Sequence, residues 1–360
     1  MKKNENVYIY KIKTIYNFKD RRINYLDYLR IFCSFFVILI HVSAHYYYVP
    51  VFNTYNWKIS YYYNGLSRFS VPNFFMISGA LFLNRDLSYK IIFNKYIKNI
   101  FVHLILWSII YALISNNIST LGIKIILFGI IKGHYHLWYL FATIGIYATV
   151  PFLREIAKNE QLLKYFLFLY LIISIIIPNY IYLLSHYSKS IYELLKYLNS
   201  AFGLNTLSTN NFYFTIGHYL NKKKIKKIIR IIIYIIGIIS FIFTTKITHN
   251  IAIIKNKKID HWGPFYFNIF FASISIFLFF KNNCNNIKQN KIIQNIAKLT
   301  FGIYLIHPLI IETIVRNLHL FNLPINIILL IPMINIFIFL LSLIISFIIK
   351  KLPLIGKYLI

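Results

Sequence analysis

Two ionisable side chains, Arg30 and His41, stand eleven positions apart on an otherwise apolar segment long enough to enter a bilayer. A guanidinium is a permanent cation suited to holding an anion, and an imidazole exchanges a proton near neutral pH. Eleven helical steps of about 100° make roughly three turns with about 20° left over, so both side chains leave one face. A rise of about 1.5 Å per residue separates them by roughly 16 Å, around half the hydrocarbon thickness. Ionisable groups at such depth are costly and usually face a protein interior or a wet cavity. Asp27, Ser34 and His45 continue the same polar stripe. Packing accounts for part of it, with Asp27 pairing to Arg30 at the boundary and a neighbouring helix satisfying His41. Two costly groups on one lining favour a functional passage over packing alone.

Other segments carry polar groups of the same kind. The string Arg68-Phe69-Ser70-Val71-Pro72-Asn73-Phe74-Phe75-Met76-Ile77-Ser78-Gly79 opens a second helix. Proline near a helix start is well tolerated, and Ser78-Gly79 permits close helix approach. Arg68 lies on the side where basic residues are scarce, which leaves it available to a cavity. His103, followed by Trp107, reads as a core or interfacial histidine. His136-Leu137-Trp138-Tyr139-Leu140 combines interface anchors with a histidine placed to meet a polar substrate. Farther on, Tyr304 and His307 share a face at i, i+3 just before Pro308, which cannot donate to the carbonyl of Tyr304 and should loosen the helix there. Glu312 precedes Arg316 by four, the spacing of an ordinary helical ion pair.

The elements that must position these residues are membrane helices. Of 360 residues, 58% are hydrophobic and 13% charged, with a mean hydropathy of +0.61. Bilayer-length apolar runs recur throughout, so the chain is polytopic rather than a soluble domain. The net charge of +30 sits in short loops without a basic face or a recognition motif, which argues against nucleic acid. Cys33 and Cys284 suggest neither a disulfide nor a metal site. Val42-Ser43-Ala44 resembles a signal-peptidase site, but the preceding polar region is longer than a usual n-region, so the first span is expected to remain.

Ten spans are expected, at about 28–48, 67–83, 97–115, 137–153, 163–183, 201–220, 228–246, 263–280, 297–316 and 324–349. The apolar stretch near 121–131 is short and reads as re-entrant or interfacial. Most basic residues fall on one side when the N-terminus is inside, with an even number of spans and both termini cytoplasmic. The division is a basic N-terminal segment 1–24, a membrane domain 25–349 and a cytoplasmic tail 350–360. No internal repeat is evident.

Tyr25-Leu26-Asp27-Tyr28-Leu29-Arg30 to His41 resembles the first-span signature of the acyltransferase-3 family of integral membrane acyltransferases. The Arg68–Gly79 string, His136-Leu137-Trp138-Tyr139-Leu140, Phe212-Tyr213-Phe214-Thr215-Ile216-Gly217 and Gly302-Ile303-Tyr304-Leu305-Ile306-His307-Pro308 follow in that family's order, over about residues 22–349. The resemblance implies transfer of an acyl group, often acetyl, from cytoplasmic acyl-CoA to a hydroxyl of a cell-surface polysaccharide or its lipid-linked precursor. It implies that Arg30 and His41 are the essential pair, that Arg68 and Ser78 belong to the second-helix pattern, and that His307 is the later histidine. Acetyl-CoA or another acyl-CoA is then a donor substrate and no cofactor is bound. The partners are the bilayer of the plasma or inner membrane and a glycan or glycolipid acceptor. His41 would act as general base or carry the acyl group itself. Basic residues on the cytoplasmic side, including Arg85 and the Lys222–Lys227 cluster, would face the CoA phosphates. A transporter or flippase of envelope glycans is the rival reading, and it calls for internal symmetry and paired broken helices.

Overall fold

The computed structural model describes residues 22–47, 53–115, 123–184, 188–201, 209–254, 263–353 and 356–360. The described residues are helical and contain no strand. In chain order the helices are α1 (Asn24–Tyr47), α2 (Tyr55–Ser67), α3 (Ser70–Phe82), α4 (Tyr89–Ile114), α5 (Ile123–Lys132), α6 (Trp138–Lys158), α7 (Glu160–Ile181) and α8 (Lys189–Ala201). They continue as α9 (Thr209–Lys222), α10 (Lys227–Lys246), α11 (Thr248–Ile254), α12 (Phe267–Cys284), α13 (Lys291–Val315), α14 (Ile327–Lys351) and α15 (Gly356–Leu359). Eight of these, α1, α4, α6, α7, α10, α12, α13 and α14, are long and apolar enough to cross a membrane.

Of the other two expected spans, 67–83 differs from expectation and 201–220 lies partly outside the described residues. They correspond to α3, of 13 residues, and to α9, of which 14 residues are described. At about 1.5 Å per residue α3 reaches roughly 20 Å, short of a bilayer core of about 30 Å. Pro72 explains one boundary, because its missing N–H leaves the carbonyl of Arg68 without an i+4 donor and the chain turns between α2 and α3. The two helices pack on each other through glycines. A Cβ at Gly79 would stand 1.6 Å from the Phe214 carbonyl oxygen, and one at Gly217 would stand 2.2 Å from that of Met76. Backbone meets backbone there, which only glycine allows. Ser78-Gly79 was expected to permit such an approach, and α9 supplies the partner.

Around this crossing, α1 occupies the centre. It packs against α2, α3, α12, α13 and α14, so Leu26, Leu29, Cys33, Ile38 and Val42 are buried along its length. One apolar cluster joins α1 to α3, α6, α9 and α12, and a second joins its later half to α4, α13 and α14. The end of α1 that carries Arg30 is tied down by polar contacts. Arg22 forms a two-pronged ion pair with Asp27, with contacts of 2.5 and 3.0 Å, and also donates to the Gln294 carbonyl at 2.8 Å. Tyr25 donates to Asn221 at 2.6 Å. The anticipated Asp27–Arg30 pair is therefore replaced by Asp27–Arg22, which removes the carboxylate from Arg30's hydrogen-bond partners.

At the other end of the chain, α15 turns back onto α4. Trp107 Nε1 donates to the Leu359 carbonyl at 2.9 Å, and Ile360 lies against Gly302. The final residues of the segment 350–360 are thus packed against α4 and α13 rather than extended from them. The basic segment 1–24 lies outside the described residues up to position 21. The 121–131 stretch falls partly outside them, and its described part is the ten-residue α5.

Candidate active site

A cavity of about 420 Å³ lies among α1, α3, α4, α6 and α13. Arg30, Ser34 and His41 face it from α1, and Ser78 faces it from α3. The turn before α6 contributes His136, and α6 itself adds Tyr139 and Tyr147. From α13 come Tyr304, His307 and Lys298. The eleven-residue spacing of Arg30 and His41 therefore delivers both onto one lining. His45, the last member of the stripe, leaves it and stacks flat on Phe321 with ring centres 3.8 Å apart.

Six of the seven residues singled out in the sequence meet in this cavity. Arg68 does not line it. Its guanidinium donates to Asn64 Oδ1, and the amide of Asn64 donates to the Ile40 carbonyl at 2.9 Å and to Ser43 at 3.0 Å. Arg68 thus braces the turn of α1 that presents His41. Several lining groups were not legible as such. His103 and Asn99 face the cavity although His103 read as a core residue, and Tyr139, Tyr147 and Lys298 carried no spacing signal.

The histidines define the chemistry at the His41 end. The His41 ring centre lies 5.1 Å from that of His307, which is 5.7 Å from that of His136. His307 Nδ1 contacts the Ile303 carbonyl at 3.1 Å, and His103 Nδ1 contacts that of Asn99 at 2.5 Å. A carbonyl can only accept, so each Nδ1 carries the hydrogen and each neutral ring presents a lone pair at Nε2. Among the described residues, the Nε2 atoms of His103, His136 and His307 are buried without a hydrogen-bond partner. Unpaired buried polar atoms are unfavourable, so three such nitrogens on residues that line one cavity call for a polar partner. His136 precedes the span of α6. Burial, followed by the His307, His134 and His41 imidazoles, holds it well below the ordinary histidine range and leaves it neutral.

Two local features hold this arrangement. Tyr304 donates its phenol to the His136 carbonyl at 2.7 Å, which pins the turn before α6. Pro308 does loosen α13, and Tyr111 fills the gap. Its hydroxyl donates to the Leu305 carbonyl at 2.7 Å and accepts from Leu309 N at 3.1 Å, so a phenol is spliced into the helix ladder beside His307. Ser34 and Thr143 donate to the carbonyls of Arg30 and Tyr139, four residues back, at 2.9 and 2.7 Å. Neither hydroxyl is arranged as an activated nucleophile.

Cations, imidazoles and apolar side chains thus share the lining of one cavity. A family model described as an acyltransferase domain, acyltransferase 3, matches residues 23–351. The chain belongs to the acyltransferase-3 family. It is an acyltransferase of the kind that moves groups other than aminoacyl groups, and a multi-pass membrane protein. No curated protein and no solved structure matches it. In this acyltransferase the match spans every helix that lines the cavity, from α1 through α13.

Proposed function

We propose that the protein transfers an acyl group, foremost acetyl, from cytoplasmic acyl-CoA to a hydroxyl of a cell-surface polysaccharide or of its lipid-linked precursor. Both termini lie in the cytoplasm, and the protein resides in the plasma or inner membrane. The observation that carries this reading is the single cavity onto which Arg30 and His41 both open.

CoA is polyanionic and stays at the aqueous face, but its acyl-pantetheine arm is thin and largely uncharged. Arg30 and Lys298 offer cations toward the donor. The apolar wall formed by Ile100, Phe74 and Phe301 admits the arm. The thioester carbonyl then reaches the imidazoles. The acceptor hydroxyl gives up its proton, its oxygen bonds to the acyl carbon, the C–S bond breaks, and CoA leaves as a thiolate that takes up a proton. His41 takes part directly, through a free ring nitrogen that accepts the proton or carries the acyl group. Ser78 and Tyr304 position the substrates from α3 and α13.

The test is mass analysis of ester-linked acyl groups on envelope glycans from a strain lacking the gene. Restoration by the wild-type chain but not by His41→Ala, at equal protein level, supports the assignment. Full restoration by His41→Ala ends it.

A further inference from the structure

The turn between α5 and α6 holds a chain of groups that the proposed reaction has not used. Gly133 ends α5 with φ of +70°, a conformation that suits glycine, and its N–H closes onto the Gly129 carbonyl at 2.9 Å. The chain leaving it places His134 and His136 side by side, with their Nδ1 atoms 2.8 Å apart. His134 Nε2 lies 3.1 Å from Glu312 Oε1, and the two side chains are only 11% and 15% exposed. Tyr111 stacks flat on His134, with ring centres 4.1 Å apart and planes within 8°. Glu312 reaches this point because it lies in the π-helical turn Ile311–Val315, whose wider winding turns it from the Arg316 side toward α6.

Hydrogen placement along this chain is constrained. The carboxylate accepts from His134 Nε2, so that nitrogen carries a hydrogen. In neutral His134 the Nδ1 then holds a lone pair, which accepts from His136 Nδ1–H. His136 Nε2 is left with a lone pair, and that atom is buried and unpartnered on a residue that lines the cavity.

The geometry points to His136 as the base that accepts the acceptor hydroxyl's proton, with His134 and Glu312 as positioning residues that store it. This rests on the reading that a hydroxyl is acylated in the cavity. The O–H bond breaks as oxygen attacks the acyl carbon, and its proton goes to His136 Nε2. The Nδ1 proton of His136 passes to His134 Nδ1, and the resulting imidazolium is held by the Glu312 carboxylate. The stored proton returns by the same route to the departing thiolate, which resets all three groups.

Glu312→Gln isolates the charge, because its amide oxygen still accepts from His134 while the side chain can no longer hold a cation. The assay uses membranes from a strain lacking the gene, which supply the native acceptor, with radiolabelled acetyl-CoA and each variant at equal level. Relative to wild type, Glu312→Gln is expected to lose at least tenfold in kcat, within the roughly 100-fold or greater span of base catalysis, with KM for acetyl-CoA unchanged within twofold. Glu312→Asp, which keeps the charge, recovers part of the rate, and thermal unfolding in detergent is the same for all three. Wild-type labelling with an unimpaired Glu312→Gln overturns the relay while leaving the acyltransferase reading intact. A rise in KM alone, or a loss that tracks unfolding, also overturns the relay. Wild-type membranes that transfer no acetyl to glycan overturn the donor and acceptor classes and the relay together.

Discussion

At the scale of single residues, the site is a division of labour between one guanidinium and a group of imidazoles. His41→Ala should lower acyl transfer by about 10²-fold or more, the scale of losing a group positioned at the reacting centre. Arg30→Lys should act mainly on donor binding, because a lysine keeps the charge but not the planar fork. It is expected to raise KM for acetyl-CoA more than it lowers kcat, and steady-state assays in membranes read that split. Tyr111→Phe removes the hydroxyl spliced between Leu305 and Leu309. It should cost about 1 kcal/mol of stability, seen as a lower unfolding temperature in detergent. The sequence brought Arg30, His41, His136, Tyr304 and His307 forward as polar groups in or beside apolar spans, visible one helix at a time, and brought Ser78 forward through the family resemblance. It could not show that His134 meets Glu312 across 178 positions, since that contact depends on how α13 lies beside the turn before α6.

At the scale of elements, two irregularities adjoin α3 and the turn before α6, both of which line the cavity. The first is the close crossing of α3 and α9, where glycines let the backbones touch. Gly79→Leu or Gly217→Leu should abolish the folded protein, because the intruding side chain would meet main chain rather than a mobile neighbour. Fluorescence-detected size exclusion of the tagged protein checks this. The second is the turn at Gly133. Gly133→Ala forces a side chain into the left-handed region and should destabilise by about 1–2 kcal/mol while misaligning His134. Hydropathy found where α3 lies but read it as a full span, because it measures how apolar a run is and not where its helix breaks. The π turn in α13 was hidden for a related reason. An i, i+4 pairing of Glu312 with Arg316 presumes regular winding, and the chain departs from it there.

At the scale of the whole molecule, the account needs a sidedness, with the Arg30 end toward CoA and the His41 end toward the acceptor. A cysteine replacing exposed Ile287, near the Asn24 end of α1, should resist a membrane-impermeant maleimide added to intact cells. One replacing exposed Leu318 should react. The opposite pattern would invert the topology and the donor side with it. The most direct test of the shared cavity uses a Cys33→Ser, Cys284→Ser background in which His41→Cys is the alkylation target. Position 41 should react with a small maleimide and be protected by acetyl-CoA, while Leu318→Cys reacts equally with or without it. An unreactive position 41, or labelling there that acetyl-CoA leaves unchanged, would contradict a donor passage joining Arg30 to His41.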